Sequence, residues 1–193
     1  MKREELRDLL ISVLALTLIF SLPEITFFSL VTSFFALGLG FLFHELAHRQ
    51  VARKFGAVAT YKLWPNGLLI AAVLGILSKG GIIFAAPGAV YITPSRFGRW
   101  KAEYMSLTNE EYGVISSVGP LTNICISILF VILYSIIPSG IFLTVASINA
   151  FLAFFNLLPV PPLDGAKVLR WSRETWLVLF LASLVGVVGF WFL

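Results

Sequence analysis

The run His44-Glu45-Leu46-Ala47-His48 carries the residue types and the spacing of a hydrolytic metal site. On a helix, residues four apart share a face, so both imidazoles can reach one ion. Glu45 stands one residue on, placed to take a proton from an activated water rather than to bind the metal. His44 and His48 are the only two histidines of the chain. A catalytic zinc needs a third protein ligand and keeps one position for water. The lone cysteine, Cys125, lies inside an apolar run and reads as a small buried hydrophobe. A carboxylate is therefore expected. Of the ten acids, Asp164 follows directly on the apolar run from Phe151 to Leu163 and is the strongest candidate. An Asp-Gly pair is also ordinary turn chemistry. Asn156 and Asn123 lie inside apolar stretches, where a neutral amide needs partners. Each either bonds a neighbouring helix or donates to an oxyanion or to substrate backbone. Asn149, a third such amide, is assigned to packing.

The elements that must position these groups are apolar. The chain is 59% hydrophobic and 12% charged, against roughly half apolar and a quarter charged in soluble domains. That excess points to lipid as the solvent. Five stretches are long enough to matter: 9–22, 27–43, 114–137, 141–158 and 175–193. A span needs about 20 apolar residues, so 9–22 is the shortest case. The head before it balances acids and bases, and no small-residue cleavage site follows, so 9–22 reads as a retained first helix. The net charge of +4 does not point to nucleic acid, because Lys and Arg beside membrane spans set topology.

The cations cluster at 2–7, 49–62, 79–101 and 167–173, while loops 23–26 and 138–140 carry none. With a cytoplasmic N-terminus and five crossings, the first, second and fourth clusters face the cytoplasm. Cluster 79–101 joins them only if 63–92 does not cross. That region holds two short apolar runs split by Ser78-Lys79-Gly80-Gly81, which is turn chemistry. Ile82, Ile83, Val90, Tyr91 and Ile92 favour strands. We therefore read 57–92 as a membrane-dipping β-hairpin that enters and leaves on the cytoplasmic side. Such a hairpin would suit an extended peptide added as a strand. Thr108 followed by Glu111 predicts a capping box that opens the next helix.

His-Glu-Leu-Ala-His-Arg-Gln-Val-Ala-Arg-Lys-Phe-Gly (44–56) resembles the first signature of the site-2 proteases, intramembrane zinc metalloproteases of peptidase family M50. Asn-Leu-Leu-Pro-Val-Pro-Pro-Leu-Asp-Gly (156–165) resembles their second, and Gly-Pro-Leu-Thr-Asn (119–123) a further feature. The resemblance covers about residues 38–170, without a PDZ or CBS domain. It implies His44, His48 and Asp164 as zinc ligands, Glu45 as catalytic acid/base, and Asn156 at the oxyanion or substrate. The expected architecture is an all-α polytopic membrane protein, with five to six transmembrane helices and a re-entrant β-hairpin. Residues 1–193 form a single membrane domain. The expected activity is zinc endopeptidase cleavage of transmembrane-helix substrates in the cell membrane, from a site opening toward the cytoplasm. The alternative is a non-proteolytic metal-binding membrane protein, which would have no use for Glu45.

Overall fold

The computed structural model describes residues 3–22, 24–94 and 107–190. Seven helices run in chain order: α1 (Arg3–Phe20), α2 (Phe27–Lys54), α3 (Pro65–Leu77), α4 (Asn109–Ile136), α5 (Gly140–Asn156), α6 (Asp164–Trp171) and α7 (Arg173–Gly189). Two strands, β1 (Ala57–Leu63) and β2 (Gly88–Pro94), flank α3. The five apolar stretches coincide with α1, α2, α4, α5 and α7. α2 and α4, at 28 residues each, are long and apolar enough to cross a membrane. α1, α5 and α7 are shorter, at 18, 17 and 17 residues.

Helix starts follow local chemistry. Thr26 caps α2 with Ser29 returning the bond, and Thr108 caps α4 with Glu111, the box expected from sequence. The interior brings Leu16 of α1, Leu37 and Phe41 of α2, and Val145 and Leu152 of α5 into one cluster. The outward faces are also apolar: Leu14, Leu18, Phe34, Phe35, Ile128, Ile132, Val178 and Val185 are all exposed. Apolar surface on that scale is unusual for a soluble monomer. It fits a bundle wrapped in lipid, where small residues and interhelical polar bonds supply the attraction.

β1 and β2 pair antiparallel, from Ala57 opposite Pro94 to Leu63 opposite Gly88. α1 closes the outer edge of β1. Glu5 accepts from the Tyr61 backbone N–H at 3.1 Å, and Asp8 from that of Leu63 at 3.2 Å. Arg49 of α2 completes the arrangement through an ion pair with Glu5. Tyr61 also shares a 2.7 Å hydroxyl bond with Ser12. An unpaired strand edge is costly away from water, and α1 carries the two carboxylates that satisfy it. Since the odd-numbered residues of β1 point outward, the outward groups of β2 belong to Gly88, Val90 and Ile92. No further strand covers them among the described residues.

The region between the strands differs in part from the expected hairpin. Val90, Tyr91 and Ile92 do form β2, but Ile82 and Ile83 lie outside any strand. The first apolar run is a helix, α3, opened by Pro65 in its first turn. α3 runs along α1: a Cβ at Gly75 would meet Ile19, and one at Gly80 would meet the Leu22 carbonyl. The turn at 78–81 therefore lies at the C-terminal end of α1, roughly 20 Å along the helix from Glu5 and Asp8. Lys79 sits with that turn, at the end of α1 away from Arg3 and Arg7. Sequence charge alone could not show this, because a turn has no face until its helix is docked. Arg96, Arg99, Lys101 and Glu103 of the polar stretch lie outside the described residues.

In a Cys125→Ser background, Lys79→Cys is expected to react with a membrane-impermeant thiol reagent from the face opposite to that labelling Arg7→Cys. Labelling of both from one face would overturn this placement.

Candidate active site

His44 and His48 sit in the C-terminal half of α2, four residues apart and both buried. Asp164 opens α6 and is buried against them. The His44 and His48 Nε2 atoms are 3.0 Å apart. Asp164 Oδ2 lies 3.0 Å from His48 Nε2 and 3.3 Å from His44 Nε2. Ligand atoms on a tetrahedral zinc at about 2.0–2.1 Å sit roughly 3.3 Å from one another, so the three are spaced for one such ion.

The other ring nitrogens decide the protons. His44 Nδ1 lies 2.6 Å from Asn123 Oδ1, and His48 Nδ1 lies 2.6 Å from the Ile115 carbonyl. Both partners are oxygens that only accept, so each Nδ1 donates and each neutral ring presents a bare Nε2. With both rings in that tautomer, three lone-pair atoms converge, an arrangement suited to a cation. The backbone around them is shaped to match. Pro120 removes the bond that the Ser116 carbonyl would accept within α4, one residue past the carbonyl that receives His48. Gly119 leaves the centre open: a Cβ there would fall against both imidazoles, 2.6 Å from His44 Nε2.

Glu45 borders the same space, and its Oε2 is buried without a hydrogen-bond partner. An open pocket of about 340 Å³ joins these groups to Asn156, Leu163, Lys167 and the β2 residues Gly88, Ala89 and Val90. Asn156 uses one amide hydrogen on the Leu152 carbonyl at 2.9 Å, leaving its second for the pocket. Asn123 is elsewhere. Its Oδ1 takes the His44 proton, and its Nδ2 donates to the Gly40 carbonyl at 3.1 Å and to Asn149 Oδ1 at 3.0 Å. With every polar group engaged behind His44, Asn123 does not face the pocket, contrary to the substrate-binding role expected of it.

Sequence reasoning missed Lys167, whose Nζ lies 3.3 Å from Asp164 Oδ1. The signal was available: Asp164 and Lys167 stand three apart on one helix. It missed the Ile115 carbonyl because a backbone acceptor leaves no mark on residue identity.

The arrangement is that of a metal-dependent hydrolase set among apolar helices. Residues 135–181 match the model of peptidase family M50. A Methanocaldococcus jannaschii protein named as a candidate zinc metalloprotease is 43% identical over 189 residues, 95% of this chain and 92% of that one. A Bacillus subtilis protein so named, YwhC, is 28% identical over 147 residues, 68% of this chain and 64% of its own. Mycobacterium tuberculosis Rip3, named likewise, is 31% identical over 145 residues, 69% of this chain and 29% of its own. No solved structure shows a significant match. The chain belongs to peptidase family M50, the membrane-embedded, zinc-dependent metallopeptidases.

Gly119→Ala is expected to weaken zinc binding by on the order of 100-fold, at the upper end for changes around a metal site, while the helical signal is kept. Zinc content after detergent purification and chelator competition measure this. Unchanged affinity would show that the ion does not occupy the space between the imidazoles.

Proposed function

We propose that this chain is a site-2-type intramembrane endopeptidase that cleaves within or near the transmembrane segments of membrane proteins. The observation that carries the proposal is the meeting of two bare imidazole nitrogens, a carboxylate oxygen and a buried, unpartnered glutamate inside an apolar helix bundle. In this proposal His44, His48 and Asp164 hold zinc, and Glu45 is the catalytic acid/base. Bound zinc would supply Lewis-acid activation of water and of the scissile carbonyl. Glu45 takes the proton of the attacking water and returns it to the departing amide nitrogen. Asn156 donates its free amide hydrogen to the carbonyl oxygen as charge develops there. Lys167 holds the second oxygen of Asp164, which fixes the carboxylate's aim.

A substrate helix hides its carbonyls in its own backbone bonds, so it must unwind before cleavage. The uncovered edge of β2 at Gly88, Val90 and Ile92 offers donors and acceptors for the unwound strand. α1 already occupies the β1 edge, which favours β2 as the receiving strand. We place one membrane domain over residues 1–193, with five to six spans. β1–α3–β2 is placed as a re-entrant unit, and the site opens toward the cytoplasm of the cell membrane. The clusters around Arg3, Arg49 and Arg170 support that orientation. A metal carrier without protease activity is disfavoured, since a carrier has no use for a buried carboxylate beside its ligands.

Glu45→Gln is expected to keep zinc bound and to reduce cleavage of a single-span membrane substrate by about 10²–10⁴-fold, the usual contribution of a positioned acid/base. Full cleavage by this variant with zinc still present would rule out the mechanism.

A further inference from the structure

The two histidines are held in different ways. His48 donates straight to a backbone carbonyl, that of Ile115. His44 donates to Asn123, a side-chain amide whose two ends have nearly the same shape. An amide turned over would present N–H groups to His44 Nδ1. That would force the ring into the other tautomer and put a proton on Nε2, where the metal belongs. Something must therefore decide which way Asn123 points.

The deciding contacts are two. Asn123 Nδ2 faces the Gly40 carbonyl and Asn149 Oδ1, and a turned amide would set oxygen against oxygen at both. Asn149 is itself an amide with the same ambiguity. It is settled by Val145, whose helical carbonyl accepts from Asn149 Nδ2 at 2.9 Å. A carbonyl can only accept, so Asn149 Oδ1 must face Asn123, Asn123 Nδ2 must face Asn149, and Asn123 Oδ1 must face His44. Both amides are fully buried, so no water can take over a lost bond. The crossing is also tight. A Cβ on Gly40 would lie 2.5 Å from Asn149 Oδ1, so α2 and α5 approach there only because residue 40 has no side chain.

We propose that Asn149 is a positioning residue for the metal centre, which sets the tautomer of His44 through Asn123. Two backbone carbonyls set the proton directions in this relay: Val145 fixes Asn149, and Gly40 acts with Asn149 on Asn123. The proposal rests on His44 serving as a metal ligand, as argued above. Asn149 sits two hydrogen bonds away from the His44 ring and touches neither metal nor substrate.

The test is a double-mutant cycle on zinc affinity in the full-length chain in detergent, read by chelator competition. Asn149→Leu keeps the branched heavy-atom connectivity and removes both bonds, and is expected to weaken zinc binding by about tenfold. Asn123→Leu is expected to weaken it more. In the Asn123→Leu background, adding Asn149→Leu is expected to change nothing, because the relay is already cut. A packing role would instead give additive losses and would overturn the proposal. Because the chain has only two histidines, ¹⁵N-histidine spectra of the chelated full-length chain give a second readout. Wild type is expected to show both rings protonated at Nδ1, and Asn149→Leu a mixed tautomer at His44 with His48 unchanged. Equal effects on both rings, or none, would refute the relay. Should Asn149→Leu fail to fold, Gly40→Ala presses on the same amide from α2 and is expected to shift the same His44 signal alone. An unshifted His44 in that variant would equally refute the relay. Wild-type zinc affinity in His44→Ala or Asp164→Ala would instead overturn the ligand assignment beneath it.

Discussion

Two histidine nitrogens and a carboxylate oxygen, each with a lone pair directed at the others, occupy one buried point in this protein. Without a cation such a cluster is repulsive, and in apolar surroundings no solvent is present to relieve it. Much of the surrounding architecture is arranged to hold it together. α2 supplies two ligand atoms from one face. α6 starts at Asp164, so the third ligand projects from a helix end. α4 runs behind the histidines with no side chain at Gly119, and bears the acceptors that hold both Nδ1 protons.

A second constraint comes from the strands. A two-stranded sheet beside an apolar bundle exposes two backbone edges, and lipid satisfies neither. α1 closes one edge with Glu5 and Asp8, and the Arg49 ion pair neutralises the deeper carboxylate. A buried ion pair is seldom a strong source of stability, since desolvation offsets most of the attraction. Here its role is geometric: it joins α1, α2 and β1 at one point beside Glu45. The other edge remains uncovered and borders the pocket that holds the metal-site residues. With one edge closed, the sheet keeps a single free edge, on the side of the pocket.

The polar groups between the helices do more than attract. Asn123 and Asn149 join α2, α4 and α5 in a layer where small residues let backbones meet. Backbone carbonyls of Gly40 and Val145 set the direction of the bonds in that layer. Packing and proton placement are therefore the same set of bonds.

Much of this was legible in the sequence. Helical periodicity puts His44 and His48 on one face, and the absence of other histidines leaves a carboxylate as third ligand. Asp164 was accessible because it ends an apolar run, where an acid is costly without a purpose. The five long apolar stretches marked their helices, and Thr108 with Glu111 marked the start of α4. Other features were decided only in three dimensions. A short apolar run bounded by turns reads equally as strand or helix, and docking on α1 made 65–77 a helix. Lys79 acquired its place at the C-terminal end of α1 only when that helix docked against Ile19 and its turn met Leu22. Asn123 and Asn156 look alike as amides within spans, yet one supports His44 and the other borders the pocket. Residue types and spacing along one element are local properties, and the sequence displays them. Which buried amide faces which histidine depends on how separate helices cross, and that is set by packing over the whole bundle.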